Sequence, residues 1–560
     1  MLNWLTSLTC SASNAASVCL PPLMLALETL TLVLRNSLLC IAVGWVFSYC
    51  FTVGNVFTGL PPGQQSYANF SAANIAWFYG VFSTCVVILM ATKLLPEQFV
   101  GRPPSQVLAA SHMARPVNRR LNILQCTTKL LARVAPHIVL SAVVVVGGDF
   151  AMYSNVPSSW HRFKPCVYIA AFWGFYIMVI ADVFVRHIFQ TETVRGLLAS
   201  RQAPRSPAKN QSSTLNPGDA IHHNDVMIQQ HNHRRHWKPP FRRFLNVYAR
   251  NLPVMFFALI AIVYVHAISQ FVTLHGQWQL LAFASASIGL KLLLQELAKH
   301  IMVTTRRPVS RRVMVILVAT PTILVDTQVR MLLLRQANTN VSVAGTVLFA
   351  VFKIVVRAAK AFIIQRQTRG SPIARDMTGR LSTFSSAPPR LTTKNYTNAV
   401  QVVPAPKPES TKRVRSGTAS MKARRDAEEH RRKCRALYAA EIYSDMYAEY
   451  IAIGCSYAIL FFYHNHPHFQ FSLLLSASSS SRYDSNGSVE NSMALRERQM
   501  RYMSGLQMGV EVVVDFLACA LEAAEGVEFK SFDQNDPFLV FYLALLSFAN
   551  VAISAGLYMR

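Results

Sequence analysis

The chain has 560 residues, 52% of them hydrophobic and only 15% charged, and a mean hydropathy of +0.27. Soluble chains carry about 25% charged residues, so an ordinary soluble globular protein is excluded; the deficit is the one that lipid-facing helices produce. The net charge of +28 lies mostly between the apolar runs, as in cytoplasmic loops facing anionic lipid, and no nucleic-acid-binding motif accompanies it, so no nucleic-acid partner is expected.

From the N-terminus, residues 1–36 read as an amphipathic segment without the basic head of a cleavable signal peptide, so insertion is expected to start from the first span. A spanning helix needs about 20 mostly apolar residues. Spans are predicted at 37–56, 75–95, 134–153, 165–189, 252–274, 278–302, 313–334 and 342–364, with a last strong one at 538–557. Two weaker candidates, 446–463 and 504–521, leave the count at 9 to 11 and the side of the C-terminus open. The expected fold is all-α: a polytopic helical membrane bundle with long disordered cytoplasmic loops. Long unbroken apolar runs argue against a closed barrel, the other architecture that satisfies its backbone in lipid.

The spans group as one to four within 37–189 and five to eight within 251–364, with a C-terminal membrane region of two or three spans at 450–560. Between them lie a basic His/Ser/Pro-rich loop at 190–250, a disordered basic loop at 365–420 and a basic helix at 421–449. Segments 196–240 and 366–420 have no apolar periodicity from which to build a core. Residues 421–450, by contrast, contain no Gly or Pro and many good helix formers.

Lysine and arginine set the orientation. "RPVNRR", "RRHWKPPFRR" and "TTRRPVSRR" all fall on one side, whereas the connection 58–74 contains none. The positive-inside rule therefore predicts a cytoplasmic N-terminus in the plasma membrane or an endomembrane. The sequons at Asn69 and Asn486 fall on the outer side and are candidate glycosylation sites; Asn340 is also outside but close to the membrane, and Asn210 and Asn395 lie inside.

The spans are not uniformly apolar. "GLKLLLQELAKH" places Lys291, Gln295 and Lys299 on one helical stripe, "VFKIVVRAAK" does the same with Lys353, Arg357 and Lys360, and "GVEVVVDFLACALEAAEGVE" with Glu511, Asp515, Glu522 and Glu525. In "ILVDTQVRMLLL" Asp326 and Arg330 stand four apart, close enough for an internal pair, just after Pro321. At a rise of about 1.5 Å per residue, Lys353 lies level with Asp515 and Lys360 level with Glu522; Asp326 and Lys291 fall within roughly 8 Å of the first level. Lys291, Asp326, Arg330, Lys353, Glu511 and Asp515 are thus a candidate intramembrane charged layer. Such charges line ion or substrate routes, or else form interhelical pairs that fix the bundle. The acidic stripe near 511–525 also admits a helix lying on the membrane surface. Asp149 and Asp182 read as local caps or pairs, Asp182 with Arg186 four residues on.

"YHNHPHF" places His464, His466 and His468 alternately at the end of a span, as a metal or pH-sensing site or as a hydrogen-bonded exit loop. The ten cysteines are scattered without a CxxC pair, and Cys40, Cys85, Cys455 and Cys519 lie in apolar runs, so no disulfide framework or zinc module is indicated. Walker loops, GxSxG elbows, HExxH and dinucleotide fingerprints are missing, so no cofactor is expected and a membrane-embedded enzyme ranks third, behind a transporter and a scaffold.

Three stretches, "KLLLQELAKH", "VATPTILVDTQVRMLLLR" and "AEYIAIGCSYAILFFYHNHPHF", resemble a group of uncharacterised multi-pass membrane proteins of oomycetes and related filamentous protists. The resemblance covers about a sixth of the chain. It implies a eukaryotic multi-pass protein and carries over no site. The expected function is transport or conduction through the charged layer, with an ion or small polar solute as partner. The alternative is a non-transporting scaffold or sensor, whose basic cytoplasmic segments bind anionic lipids under phosphorylation control.

Overall fold

The computed structural model describes residues 12–100, 118–161, 163–202, 240–271, 277–304, 311–335, 339–369, 411–463, 466–469, 489–524, 527, 529 and 537–559. In chain order the helices are α1 (Ala12–Val53), α2 (Tyr67–Ala91), α3 (Ile123–Asn155), the single turn α4 (Ser158–His161), α5 (Pro165–Glu192), α6 (Val194–Gln202) and α7 (Pro240–Phe271). They continue as α8 (Gln277–Thr304), α9 (Arg311–Arg335), α10 (Thr339–Arg369), α11 (Thr411–Tyr463), α12 (Val489–Ala524) and α13 (Pro537–Tyr558). Between α2 and α3 a small antiparallel pair, β1 (Gln98–Val100) and β2 (Asn118–Arg120), aligns Phe99 with Arg119.

Local chemistry starts several helices. Ser66 caps α2, its side chain accepting from the Asn69 backbone N–H at 3.3 Å. Asn122 and Gln125 form a capping box at α3. Thr193 starts α6, its Oγ1 accepting from the Gly196 N–H at 3.1 Å. This cap makes 194–202 helical, although the sequence from 196 onward reads as loop; the rest of that loop, 203–239, lies outside the described residues.

Nine helices among the described residues are long and apolar enough to cross a membrane: α1 from Pro22, α2, α3, α5, α7, α9, α11, α12 and α13. The first apolar stretch begins at Pro22, ahead of the expected position 37, because α1 is continuous through the N-terminal segment. Helices α8 and α10, at 28 and 31 residues, are long enough to span and coincide with the spans expected at 278–302 and 342–364; they carry Lys291, Glu296 and Lys299, and Lys353, Arg357 and Lys360.

The bundle is built around α9 and α11, in which 78% and 83% of the apolar window is buried, against 22% in α3. They pack against each other more extensively than any other helix pair. Helix α9 continues through Pro321, which leaves the Leu317 carbonyl without its usual amide donor. Thr320 and Thr322 add bonds of 2.7 Å to Ile316 O and Val318 O beside it. The outer surface is apolar: Leu38, Leu39, Val139, Val143, Phe256, Val263 and Val355 are all exposed. A bundle with buried charges and exposed large aliphatics is inverted relative to a soluble protein, as lipid requires.

Candidate functional site

Five helices bring charged stripes to one place. Helix α8 presents Lys291, Gln295 and Lys299; α10 presents Lys353, Arg357 and Lys360; α12 presents Glu511, Asp515 and Glu522; α9 contributes Asp326 and Arg330. The fifth stripe, on α11, is Glu441, Asp445 and Glu449. Each stripe repeats at three, four or seven residues, so one helix face carries it.

At the level of Lys353 the contacts are densest. Its ammonium meets Glu511 Oε2 at 2.9 Å, Asp515 Oδ1 at 2.7 Å and the Glu449 carboxylate. Lys291 reaches Asp326 Oδ2 at 3.1 Å, Glu449 Oε1 at 3.0 Å and Asp445 Oδ1 at 3.5 Å. Arg330 binds Glu511 Oε1 at 2.6 Å. Asp326 and Arg330 therefore each pair with another helix, where the spacing had admitted an internal pair. Glu449, Glu511 and Asp515 converge so closely that a carboxylate oxygen from each lies within 4.8 Å of the others. Lys353 sits among all three, and its ammonium supplies the positive charge that such a convergence requires.

One turn further along, Arg357 donates to Glu522 through both Nε (2.9 Å) and Nη2 (2.6 Å), and through Nη1 to Asp515 (2.8 Å). Tyr438 adds a hydrogen bond to Glu522 at 3.2 Å. Lys360 and Lys299 each bind Glu441 at 2.7 Å, and Gln295 donates to Asp445 at 2.6 Å while accepting from Lys360 at 3.1 Å. The cluster so defined holds six cations (Lys291, Lys299, Arg330, Lys353, Arg357, Lys360) and seven carboxylates (Asp326, Glu441, Asp445, Glu449, Glu511, Asp515, Glu522).

The cluster is not packed solid throughout. A cavity of about 110 Å³ opens among Lys291, Asp326, Arg330, Lys353, Glu449 and Glu511, with Leu292 and Phe352 on its apolar side. Lys291, Asp326 and Lys353 keep 13%, 17% and 14% of their side-chain surface, whereas Asp515 keeps none. Polar groups thus border the space on one side and tight ion pairs close it on the other.

Helix α12 bears on the choice between a surface and a spanning position. Glu511, Asp515 and Glu522 face inward and are buried, while Val513 and Leu517 on the opposite face are exposed. A helix lying on the membrane surface would turn its charges to water; here they turn to α10 and α11. Glu525 lies outside the described residues.

The other sequence candidates are elsewhere. His466 is buried; its Nδ1 accepts from the His468 backbone N–H (3.3 Å), which leaves Nε2 to donate to Thr52 O (3.2 Å). His468 Nε2 meets Pro62 O at 3.2 Å. Both rings tie the segment after α11 to the α1–α2 connection, and His464 lies outside the described residues. Burial pushes the His466 imidazole down to about 4, against a weaker opposing effect of its bond to Thr52. Asp182 pairs with Arg186 at 2.8 Å and also with Lys93 at 3.0 Å. Asp149 is buried beside Cys166, Ser71 and Lys164. Asn69 is exposed on the first turn of α2; Asn486 lies outside the described residues. The eight described cysteines are all free.

Comparison with protein-family models, with curated proteins and with solved structures finds no match for the chain. Its class follows from its build. Nine apolar helices among the described residues, an apolar exterior and a charged interior make it a multi-pass integral membrane protein of the helical type.

Proposed function

We propose that this protein is a transporter or channel that moves an ion or small polar solute past the charged cluster. The observation that carries this reading is the cavity of about 110 Å³ bordered by Lys291, Asp326, Arg330, Lys353, Glu449 and Glu511. A water needs only about 10–15 Å³ of such space, so the cavity has room for several. Ionisable groups inside a membrane are costly, and a hydrated space between them is where a polar species crosses most cheaply. The seven carboxylates exceed the six cations by one, so a transported cation or proton has a carboxylate to neutralise. The charge asymmetry of the loops supports a cytoplasmic N-terminus, in the plasma membrane or an endomembrane of a eukaryotic cell.

The test is flux in reconstituted vesicles carrying an internal pH-sensitive dye, under an imposed potential and with candidate cations outside. Parent protein should conduct above empty vesicles, and Glu449→Gln should lower the rate at least about tenfold, since Glu449 joins Lys291 to Lys353. Flux equal to that of empty vesicles, or unchanged by Glu449→Gln and Asp326→Asn, overturns the reading.

One observation favours a second reading, a non-transporting scaffold or sensor. Each cluster cation already has a carboxylate partner, as in a bundle held by ion pairs. In that reading the basic stretch 407–435, whose residues from Thr411 onward begin α11, binds anionic lipid at about 1 kcal/mol per basic residue and is tuned by phosphorylation. Deleting 412–432 would then abolish recruitment of anionic vesicles without affecting insertion; retained recruitment sinks it.

A further inference from the structure

Away from the charged cluster, two cavities share a wall. The first, about 90 Å³, is lined by Tyr67, Asn74, Tyr153, Cys166 and Tyr463 together with apolar groups of α5 and α13. The second, about 130 Å³, runs between α2, α5, α7, α9 and α13 past Phe82, Phe175 and Leu324. Phe78, Ala170, Ala171 and Ile553 line both, so the two cavities adjoin at these side chains and together outline a slot. Phe172 lines the second section and is exposed on the outer face of the bundle, which gives the slot an edge on the lipid.

The two sections differ in the state of their polar atoms. In the second, Thr320 bonds to Ile316 O and Tyr542, and Asn550 bonds to Thr327 and Ser554, so its polar groups are satisfied within the protein and its walls are otherwise apolar. In the first, Asn74 Nδ2 and Oδ1 and the Tyr463 hydroxyl are buried with no hydrogen-bond partner among the described residues. A buried amide and hydroxyl are costly to leave without partners, so a group that bonds to them is favoured. Asn74 offers both a donor and an acceptor, which matches a hydroxyl or amide head. Asp149 and Lys164 lie beside Cys166 at this end with opposite charges, which disfavours a charged head of either sign. The apolar section approaches the roughly 150 Å³ of a dry cavity that holds benzene, so hydrocarbon fits it better than water does.

We propose that this slot binds a single-tailed neutral lipid, its hydroxyl or amide head against Asn74 and Tyr463 and its tail along Phe78, Ala171 and Leu324. The site is independent of the charged cluster and of the transport reading. The bilayer supplies the ligand through the edge at Phe172.

The test uses the purified full chain in detergent, a long-chain alcohol bearing a photoactivatable diazirine in its tail, and the matching diazirine alkane. The alcohol should label peptides of α2 and α5 around Phe78 and Ala170 saturably, and excess unlabelled alcohol should compete. Asn74→Ala should weaken labelling roughly tenfold, and Ala171→Phe, which fills the shared wall, should abolish it in protein that elutes as the parent does. Competition on the unmodified protein gives the answer even if a variant fails to fold. Non-saturable labelling, labelling confined to outward residues such as Leu38 and Val143, or equal labelling by the alkane overturns the proposal.

Discussion

Arg357 holds Glu522 by two parallel hydrogen bonds, Nε to Oε1 at 2.9 Å and Nη2 to Oε2 at 2.6 Å, with both side chains at most 8% exposed. The planar fork of the guanidinium matches the carboxylate, and lysine cannot reproduce it. Breaking such a pair from one side leaves an uncompensated buried charge, which costs about 3–5 kcal/mol. Arg357→Leu should therefore lower the thermal midpoint of the solubilised protein sharply, and Arg357→Lys should recover only part of it. The double substitution Arg357→Met with Glu522→Met should be milder than Arg357→Leu, because no charge is stranded on that arm. Equal midpoints for parent and Arg357→Leu would show that this pair is not under load.

Position within the cluster, and not charge as such, should decide the cost of losing one. Lys291 bridges α8 to Asp326 of α9 and to Glu449 of α11, whereas Glu296, on the same helix, is 60% exposed and pairs with Lys299 on its own helix. Lys291→Met takes the counter-ion from Asp326 and Asp445, while Glu449 keeps Lys353, and should destabilise by about 3–5 kcal/mol. Glu296→Gln removes an exposed pair of the kind that contributes about 0–1 kcal/mol. Denaturant titration of both variants should separate them clearly.

The depth relation between Lys353 and Asp515 is legible in the sequence, because helical rise fixes it once the span ends are placed; in the structure they lie 2.7 Å apart. What the sequence hides is the acidic side supplied by Glu441, Asp445 and Glu449. Their helix opens with "TKRVRSGTASMKARRDAEEHRRK" and has the lowest hydropathy of the nine, 1.3, so its first half reads as a basic helix outside the spans. The physical reason is that α11 faces protein and not lipid. A helix surrounded by other helices has no need to be apolar all round, and its polar groups are satisfied by its neighbours. The four-residue repeat of Glu441, Asp445 and Glu449 was the available signal. Helices α8 and α10, legible as spans despite their charges, likewise turn Lys291, Lys299, Lys353, Arg357 and Lys360 to the cluster.

Gly454 marks the crossing of α1 and α11. A Cβ there would stand 2.5 Å from Ile41 Cγ1 and 2.6 Å from Ile41 Cγ2, too close for any carbon pair. Small residues at such crossings let helices approach. Gly454→Val should force α1 away and cost about 1–3 kcal/mol. Gly454→Ala should cost less, and Ile41→Ala should rescue it by clearing the space. A double-mutant cycle on thermal stability gives the coupling; strict additivity would show that the two helices do not touch at this point in the folded protein.

His466 gives the fold a pH dependence whose sign is fixed by burial. Its folded value of about 4 lies below the ordinary 6.5, so between those values the unfolded chain binds the proton and the folded one does not. The stabilisation is complete above pH 6.5 and is lost as pH falls towards 4, for a total of about 3 kcal/mol at most. The neutral ring donates to Thr52 O and accepts from the His468 N–H. A protonated ring would lose the second bond and carry charge into a site packed by Phe70 and Tyr463. Stability measured from pH 7 to pH 4.5 should therefore fall more steeply in the parent than in His466→Gln, which has no titrating ring. Parallel curves would mean that this imidazole is not held neutral, and that the segment after α11 is anchored by other contacts.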